Sequence, residues 1–551
     1  MIKDILDETI SSVEDNIIKT HDNDAKYHPD GLGDYFYNLM LNNSSKIAQI
    51  DGLTDEIQTY EDLLSKCIKT SKAMLNLGIL PGDLITPLTH NHLDSCIPFI
   101  SSLFTGTLSA PLDLHMPQDE MKSLLDKFQS KIIFCSEEAE IFLEPKIKEW
   151  GIKSKIIVFG KSKNNMNFEE FLDSAMDDRN FEVYKVGSLS DSAYITLTGG
   201  STGNHKAACI SHLSLFNFIY SFSYASETNT TIISYSPLLW LAASINICRS
   251  INFGYSRLIL PKFDPNSFFN TISKYNIRNL VLSVSCITQL LKVGVPKELD
   301  LSFIQTLRYI GSPLSKGFVG QLKKMLPNVI IVSAYGQSEV GGFLTNFDWG
   351  KYPDYYNKKG FSVGRPMKGI TYKIVDINTG ETLGPNKPGH LLVKTKFEMN
   401  GYFKTDSSHI YDENGWLKTG DVLYYDDDYF FYFVDRIKEM IRYKSWAISP
   451  HYLEGILGNH PSVENVFVTG VPHDEDGDHP VGAVVLKDGD NVEGGDLEKF
   501  VNERVDETRK IRGGVWVVDK DFIPYSATGK IQRYECRRKL LEVIKLNPKK
   551  N

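Results

Sequence analysis

The sequence has no run of about 18 apolar residues, the length a helix needs to cross a bilayer, so no transmembrane segment is expected. Its opening stretch, MIKDILDETISSVEDN, is acidic and lacks the apolar core of a signal peptide. Positive charge is in short supply. Against 69 Asp and Glu there are 60 Lys and Arg, a formal net charge of −9, which excludes a general binder of nucleic acid or anionic membrane and leaves only local basic sites for phosphates. Cysteine is scarce too. The seven, at 67, 96, 135, 209, 248, 286 and 536, are scattered and odd in number and form no Cys-x-x-Cys pair. Neither a disulfide framework nor a cysteine zinc site is expected, only reduced, mostly buried thiols. The final residues, Pro548-Lys549-Lys550-Asn551, are not a Ser-Lys-Leu type of address, and a cytoplasmic setting is the expectation.

What is present describes a large globular chain. Its 551 residues suggest two to four domains, with 42% hydrophobic residues to fill their cores. Residues 1–45 read as a lead-in with a helix near Leu32–Met40, and the apolar spacing over 60–78 predicts a helix stopped by Gly78. Leu84–Leu88 is apolar, and KIIFCS and KIIVFG read as buried strands of a parallel-sheet α/β unit; 163–192 reads as an irregular connector. Strand-like runs resume between 230 and 345. From 360 to 435, short strands between Asn-Thr-Gly, Asp-Glu-Asn-Gly and Asp-Asp-Asp turns predict antiparallel structure. A smaller unit follows, with strands near 465–470 and 480–486 and helices near 495–507 and 533–546.

The stretch 194–212, YITLTGGSTGNHKAACISH, organises the rest. Tyr194-Ile195-Thr196-Leu197 has the makeup of a strand and runs straight into Thr198-Gly199-Gly200-Ser201-Thr202-Gly203. Glycine lets the backbone turn close to an anion, successive N–H groups point inward as donors, and the hydroxyls add more. Lys206 follows within reach of a phosphate. By composition alone the same residues fit a plain surface loop, and no Gly-Lys-Ser/Thr ends them as in a Walker loop.

The order Thr-Gly-Gly-Ser-Thr-Gly-x-x-Lys resembles the phosphate loop of the adenylate-forming superfamily, which includes acyl-CoA synthetases, 4-coumarate–CoA ligases and beetle luciferases. Relatives have a variable residue and Pro before the lysine; here Asn204 and His205 stand there. The resemblance covers nearly the whole chain and is densest from 360 to 535. It implies a multi-domain α/β fold. A large N-terminal adenylation domain over 1–434 would hold two parallel-sheet α/β subdomains and a small β-barrel-like subdomain. A small, mobile α+β domain over 435–551 would follow, hinged at Asp435 in VDRIK.

Adenylation joins AMP to a carboxylate and expels pyrophosphate. It needs a phosphate cradle, a magnesium ligand, a grip on adenosine and a cation on the reacting oxygens. By resemblance, Thr198, Gly199, Gly200, Ser201, Thr202, Gly203 and Lys206 form the cradle. Glu339, in Ala334-Tyr335-Gly336-Gln337-Ser338-Glu339, is the magnesium ligand, a hard oxygen donor. On its own it would be an ordinary surface acid. The family motif is Tyr-Gly-x-Thr-Glu, and Ser338 keeps the hydroxyl. Tyr335 would stack on adenine, with Ala334 and Gly336 beside it in the AMP site and Gly311 along the same pocket. Asp421, in GWLKTGDVLYY, is the ribose clamp, since a carboxylate accepts two hydroxyl protons. Arg436 would help hold the nucleotide. Lys530, in SATGKIQR, is the catalytic cation, its compact charge suited to a carboxylate meeting an α-phosphate.

Two departures from the family stand out. Trp240, in SYSPLLWLAASIN, occupies the gate between acyl pocket and thiol acceptor, where relatives typically carry His. Gln337 and Phe343 align with acyl-pocket positions. Further on, Ile441-Arg442-Tyr443-Lys444-Ser445-Trp446-Ala447 replaces Ile-Lys-Tyr-Lys-Gly-Tyr/Phe-Gln. Arg442 and Lys444 belong to the catalytic set of the second half-reaction, and Ser445 adds a side chain where Gly lets pantetheine approach. The expected function is activation of a carboxylic acid, a small-molecule substrate, by ATP and Mg²⁺, then acyl transfer to CoA, with no nucleic-acid partner. Two alternatives stand beside it: another fate for the adenylate, by luciferase-like oxidation or transfer to an amine, and a weakened member that binds an acyl ligand.

Overall fold

The computed structural model describes residues 9–23, 25–175, 181–199, 205–221, 230–311, 314, 316–347, 358–359, 361–444, 446–525 and 531–546. A seven-stranded sheet runs in the order Lys206–Ser211, Ser192–Thr198, Leu108–Ser109, Leu84–Leu88, Ile132–Ser136, Lys155–Phe159, Met166–Asn167. Its neighbours are parallel except at one edge, where Ser192–Thr198 and Lys206–Ser211 form an antiparallel pair. Leu84–Leu88 and Ile132–Ser136 are buried at every position, as strands covered on both faces must be. The helix Tyr60–Asn76 opens in a capping box between Thr59 and Asp62. The supposed connector over 163–192 contains the last parallel strand and the helix Phe168–Asp173, whose Phe168, Phe171 and Leu172 are buried in the main core. A helix of 6 residues is too short to display a helical period in sequence.

Two smaller sheets share a second core. In one, Thr231–Ser234, Ser256–Ile259 and Ile47–Asp51 are parallel, with Ile57–Thr59 antiparallel at the edge. In the other, Asn279–Ser283, Thr306–Ile310 and Ile330–Gln337 are parallel, and Gly342–Asn346 and Arg365–Pro366 follow antiparallel. Leu258, Leu280, Leu307 and Ile331 meet between them.

The antiparallel region is a six-stranded sheet: Ile10–Glu14, Ile17–Thr20, Ile370–Val375, Gly389–Thr395, Leu417–Tyr425, Phe431–Arg436. Its first two strands come from the supposed lead-in. Ile18 pairs with Tyr372, and Ile10 and Ile18 enter the same core as Leu391 and Phe431.

From Ile441 onward the chain builds a separate sheet from Trp446–Ile448, Ile441–Tyr443, Gly477–Leu486 and Val463–His473, with Val515–Val517 parallel to Gly477–Leu486. The helix Gly494–Asn502 stops short of the expected 507, and Arg533–Leu546 matches its expected span. Arg533 ties this unit together, with Nη2 2.9 Å from Glu454 and Nε 3.1 Å from Glu439. Burial alone would raise the Glu454 carboxyl, but Arg533 and His451 outweigh it and hold it at about 2. All seven cysteines are buried free thiols. Among the described residues, no helix is long and apolar enough to cross a membrane.

Candidate active site

The phosphate-loop sequence joins two paired strands. Thr198 and Lys206 are the last partners of an antiparallel ladder, so the root of the loop is fixed by backbone pairing. Gly200, Ser201, Thr202 and Gly203 lie outside the described residues; Thr198 is buried and Gly199 exposed. The segment 400–403 lies along the other side of Lys206–Ser211. Asn400 N–H donates to Cys209 O at 2.8 Å, Cys209 N–H to Gly401 O at 3.0 Å and Phe403 N–H to Ala207 O at 2.7 Å. This sets the ring of Tyr402 4.7 Å from Nζ of Lys206, with His409 Nε2 3.4 Å from the same ammonium.

Ala334, Tyr335, Gly336 and Gln337 end the strand Ile330–Gln337, beyond the last register pair, Tyr309 with Ser333, of its parallel neighbour. Ligands of open α/β sheets bind at such carboxyl ends. Gly311 leaves that neighbouring strand at φ +90°, a conformation that favours glycine. At Gly336 a Cβ would stand 2.1 Å from the carbonyl oxygen of Gly342, so no side chain fits. Ser338 opens a single turn, Ser338–Val340, which carries Glu339. The Glu339 carbonyl accepts from Met399 N–H at 3.0 Å, and its Oε1 accepts from the Tyr402 hydroxyl at 2.7 Å. Burial and the Glu339 charge both keep that hydroxyl protonated. Tyr402 therefore joins Glu339 to Lys206. Sequence reading missed it; its signal was an Asn-Gly-Tyr turn with no partner in view.

Asp421 is buried between the two β regions. Its Oδ2 accepts from the Tyr335 hydroxyl at 2.7 Å and from the Gln337 amide at 2.6 Å, and Arg436 Nε lies 3.6 Å from Oδ1. Asp421 and Arg436 are direct partners across the strands Leu417–Tyr425 and Phe431–Arg436. Burial raises the Asp421 carboxyl above its ordinary range, and Arg436, Tyr335 and Gln337 only partly offset it. The Gln337 amide, expected in the acyl pocket, also donates to Thr419 O at 2.9 Å. The residue after Tyr335–Gly336 thus faces the Asp421 side, drawn there by a buried carboxylate in need of donors.

Trp240 caps the helix Leu241–Phe253, and its ring lies 5.7 Å from that of His205. Among the described residues its buried Nε1 has no acceptor. His205 is held in turn by Glu120, which accepts from His205 N–H and stands 2.9 Å from its Nδ1. Burial alone would raise the Glu120 carboxyl; the two bonds from His205 outweigh it and leave it below the usual range. Phe343 meets Phe218 at 4.9 Å, in an apolar cluster with Leu241 and Ile245 on the helix that Trp240 begins.

The remaining candidates lie apart. Arg442 is on the strand Ile441–Tyr443 and Lys444 follows it in a turn, both packed against the hairpin tip at 473–479: Lys444 N–H donates to Asp476 O at 2.6 Å, and Arg442 N–H approaches Asp478 at 3.4 Å. Asp435 is buried, and its carboxylate accepts from the Ser449 hydroxyl at 2.5 Å and from His451 N–H at 3.0 Å, at the start of the helix Pro450–Leu457. Ser445 and Lys530 lie outside the described residues.

Comparison with known proteins gives this arrangement a class: it belongs to an adenylate-forming enzyme. The chain is a member of the AMP-binding enzyme family, whose model matches residues 40–403, and the model of the AMP-binding enzyme C-terminal domain matches 452–530. It is similar to luciferin 4-monooxygenase of Photuris pensylvanica, 27% identical over 90% of this chain and 92% of that one. It is also similar to 4-coumarate–CoA ligase-like 9 of Arabidopsis thaliana, 33% identical over 82% and 79%. Among solved structures, the luciferase-like enzyme from the nonluminescent Zophobas morio mealworm superimposes with a TM-score of 0.71 at 28% identity, over 77% of this chain and 100% of that one.

Proposed function

We propose that the enzyme activates a carboxylic acid with ATP, releases pyrophosphate, and passes the acyl group to CoA. The observation that supports this most is the joining of Lys206 and Glu339 through Tyr402 at the root of the glycine-rich loop. In this reading the loop and Lys206 take the phosphates, and the Lys206 ammonium offsets charge on the departing pyrophosphate. Glu339 fits a magnesium ion: it is a half-buried, hard oxygen donor beside the phosphate lysine. Mg²⁺ held there would neutralise phosphate charge. Asp421 grips the ribose. A carboxylate offers about four acceptor sites; Tyr335 and Gln337 use two, which leaves two for a diol. Lys530 would bring its charge to the carboxylate and α-phosphate. The unit over 435–551 would turn about Asp435 and present Arg442 and Lys444 for transfer, while Phe343, Leu241 and Ile245 bound the acyl group below Trp240.

A second reading keeps adenylation and changes the acceptor, to oxygen or an amine. The altered run Arg442 to Ala447 and the likeness to luciferin 4-monooxygenase favour it. Acid-dependent ATP–pyrophosphate exchange tests adenylation, and Lys530→Ala should abolish it while sparing use of preformed acyl-AMP. CoA-dependent release of AMP tests the acceptor; healthy exchange with no CoA turnover would move the conclusion to the second reading.

A further inference from the structure

We propose that His473, Asp476 and His479 form a site for a divalent transition metal of the zinc class, and that an ion bound there competes with Lys444 for the Asp476 carboxylate. Neither the adenylation site nor the family comparison calls for a metal at this place.

The three residues stand at the tip of one hairpin. His473 ends the strand Val463–His473, and Asp476 precedes its partner strand, Gly477–Leu486, which carries His479. The ladder pairs Val471 with His479 and His473 with Gly477, so both imidazoles rise from paired strand ends, not from a free loop. Ligand atoms of the three all lie within 4.8 Å of one another. His479 Nε2 is 2.8 Å and His473 Nδ1 3.9 Å from Asp476 Oδ2, and the two rings are 3.9 Å apart. Bonds of 2.0–2.2 Å in a tetrahedron separate ligands by about 3.3 Å. The observed distances bracket that value, so side-chain rotation suffices and the backbone can stay. His473 Nδ1 is held only by long contacts, from the backbone N–H groups of Glu475 at 3.4 Å and Asp476 at 3.3 Å.

Two imidazoles and one carboxylate favour zinc and its transition-metal neighbours over Mg²⁺ or Ca²⁺, which take all-oxygen sets. A fourth position stays open to water. The acidic surroundings, Asp474, Glu475 and Asp478, add attraction for a cation. A second grouping, His28, Asp30 and Asp34, offers only one imidazole, and Lys185 already takes Asp30 at 2.9 Å.

The tip is packed against the strand Ile441–Tyr443. A Cβ at Gly477, φ +87°, would stand 2.5 Å from Arg442 O, and Tyr443 lies 5.8 Å from the ring of His479. Lys444 Nζ is 3.6 Å from Asp476 Oδ1. A metal drawing on that carboxylate weakens its hold on the ammonium, while the 2.6 Å backbone bond from Lys444 to Asp476 keeps the strand in place. Freeing the Lys444 ammonium would alter acyl transfer only through the role proposed above for Lys444; the metal binding itself does not rest on that role.

The test uses the full chain, freed of metal with a chelator and titrated with ZnCl₂ by calorimetry, with Co²⁺ as a spectroscopic stand-in. One ion should bind per chain, and Co²⁺ should give the strong visible bands of a tetrahedral site. His473→Ala and His479→Ala should each weaken zinc binding by more than the ~10–100-fold that loss of a supporting residue costs, and His28→Ala should leave it unchanged. Both imidazoles are at least partly exposed, so the variants should melt as the parent does without metal. If the parent binds no zinc, or binds it equally well after both substitutions, the proposal is wrong. If zinc binds as expected and CoA transfer is absent, the acceptor proposed above falls and the metal site stands.

Discussion

The Tyr402 hydroxyl donates to Oε1 of Glu339 at 2.7 Å across 63 residues of sequence, and the ring beneath that hydroxyl faces the Lys206 ammonium at 4.7 Å. One side chain thus sets both the position of the acid and the environment of the cation. The hydroxyl acts through a hydrogen bond, the ring through its π face, and the two can be removed separately.

Tyr402→Phe keeps the ring and frees Glu339. A hydrogen bond to a charged group is worth about 1.5–3 kcal/mol, so the Mg²⁺ needed for half-maximal ATP–pyrophosphate exchange should shift by roughly tenfold. Tyr402→Ala should add a rise in KM for ATP, because Lys206 then loses its support as well. Unaltered Mg²⁺ dependence in both variants would remove Tyr402, and the metal role of Glu339, from the account.

A pH dependence follows from Asp421. Burial raises its carboxyl, while Arg436, Tyr335 and Gln337 favour the charged form. Only that form accepts both hydroxyls of a ribose, so ATP affinity should fall as pH drops through the Asp421 value. Tyr335→Phe removes one donor to the carboxylate, worth about 1.5 kcal/mol or roughly one pH unit. The acid limb of kcat/KM for ATP should therefore move to higher pH. A shift toward lower pH, or none, would mean that Asp421 does not govern that limb.

Glu120 and His205 should behave as one unit. Glu120→Gln weakens the hold on the loop root and should raise KM for ATP several-fold with kcat little changed. His205→Pro, which installs the residue relatives carry, deletes both donors and leaves a half-buried carboxylate unpaired, a loss of about 1–3 kcal/mol. Combined, the two substitutions should cost less than their sum, by about 1 kcal/mol or more in a double-mutant cycle. Strict additivity would show that the contact carries no energy.

What sequence could reveal followed from locality. KIIFCS, KIIVFG and NVIIVSAYG are β-branched runs whose buried strands need no distant information, and the parallel sheets followed from their alternation with helices. The hairpin Ile10–Thr20 had no such mark, because its reason to exist is a ladder to Tyr372, more than 350 residues away. The partners of Gln337 were hidden for the same reason. Its neighbours in sequence point to a pocket wall, but Asp421, 84 residues on, determines where its amide goes. The Glu120–His205 contact joins a helix to a loop across 85 residues, and only the unusual His before Lys206 hinted at it.

The last expectation concerns Asp435, proposed as the pivot. It sits in the edge strand Phe431–Arg436, next to the Asp421–Arg436 pair, and its carboxylate receives the Ser449 hydroxyl and the His451 and Arg436 amides. The backbone of Asp435 thus belongs to the strand that pairs Arg436 with Asp421, and its side chain holds the start of the helix Pro450–Leu457. Asp435→Ala leaves the strand pairing and removes the grip. Adenylation should stay within about threefold of the parent, since Arg436 remains opposite Asp421. Transfer from preformed acyl-AMP to CoA should slow by about 100-fold, the cost of misplacing a reacting group by an ångström. Single-turnover measurements of the two half-reactions separate these outcomes. Equal loss in both would make Asp435 a general structural support, and normal rates in both would mean that the turning point lies elsewhere, the next candidate being the turn at Glu439 and Met440, between Arg436 and the strand Ile441–Tyr443.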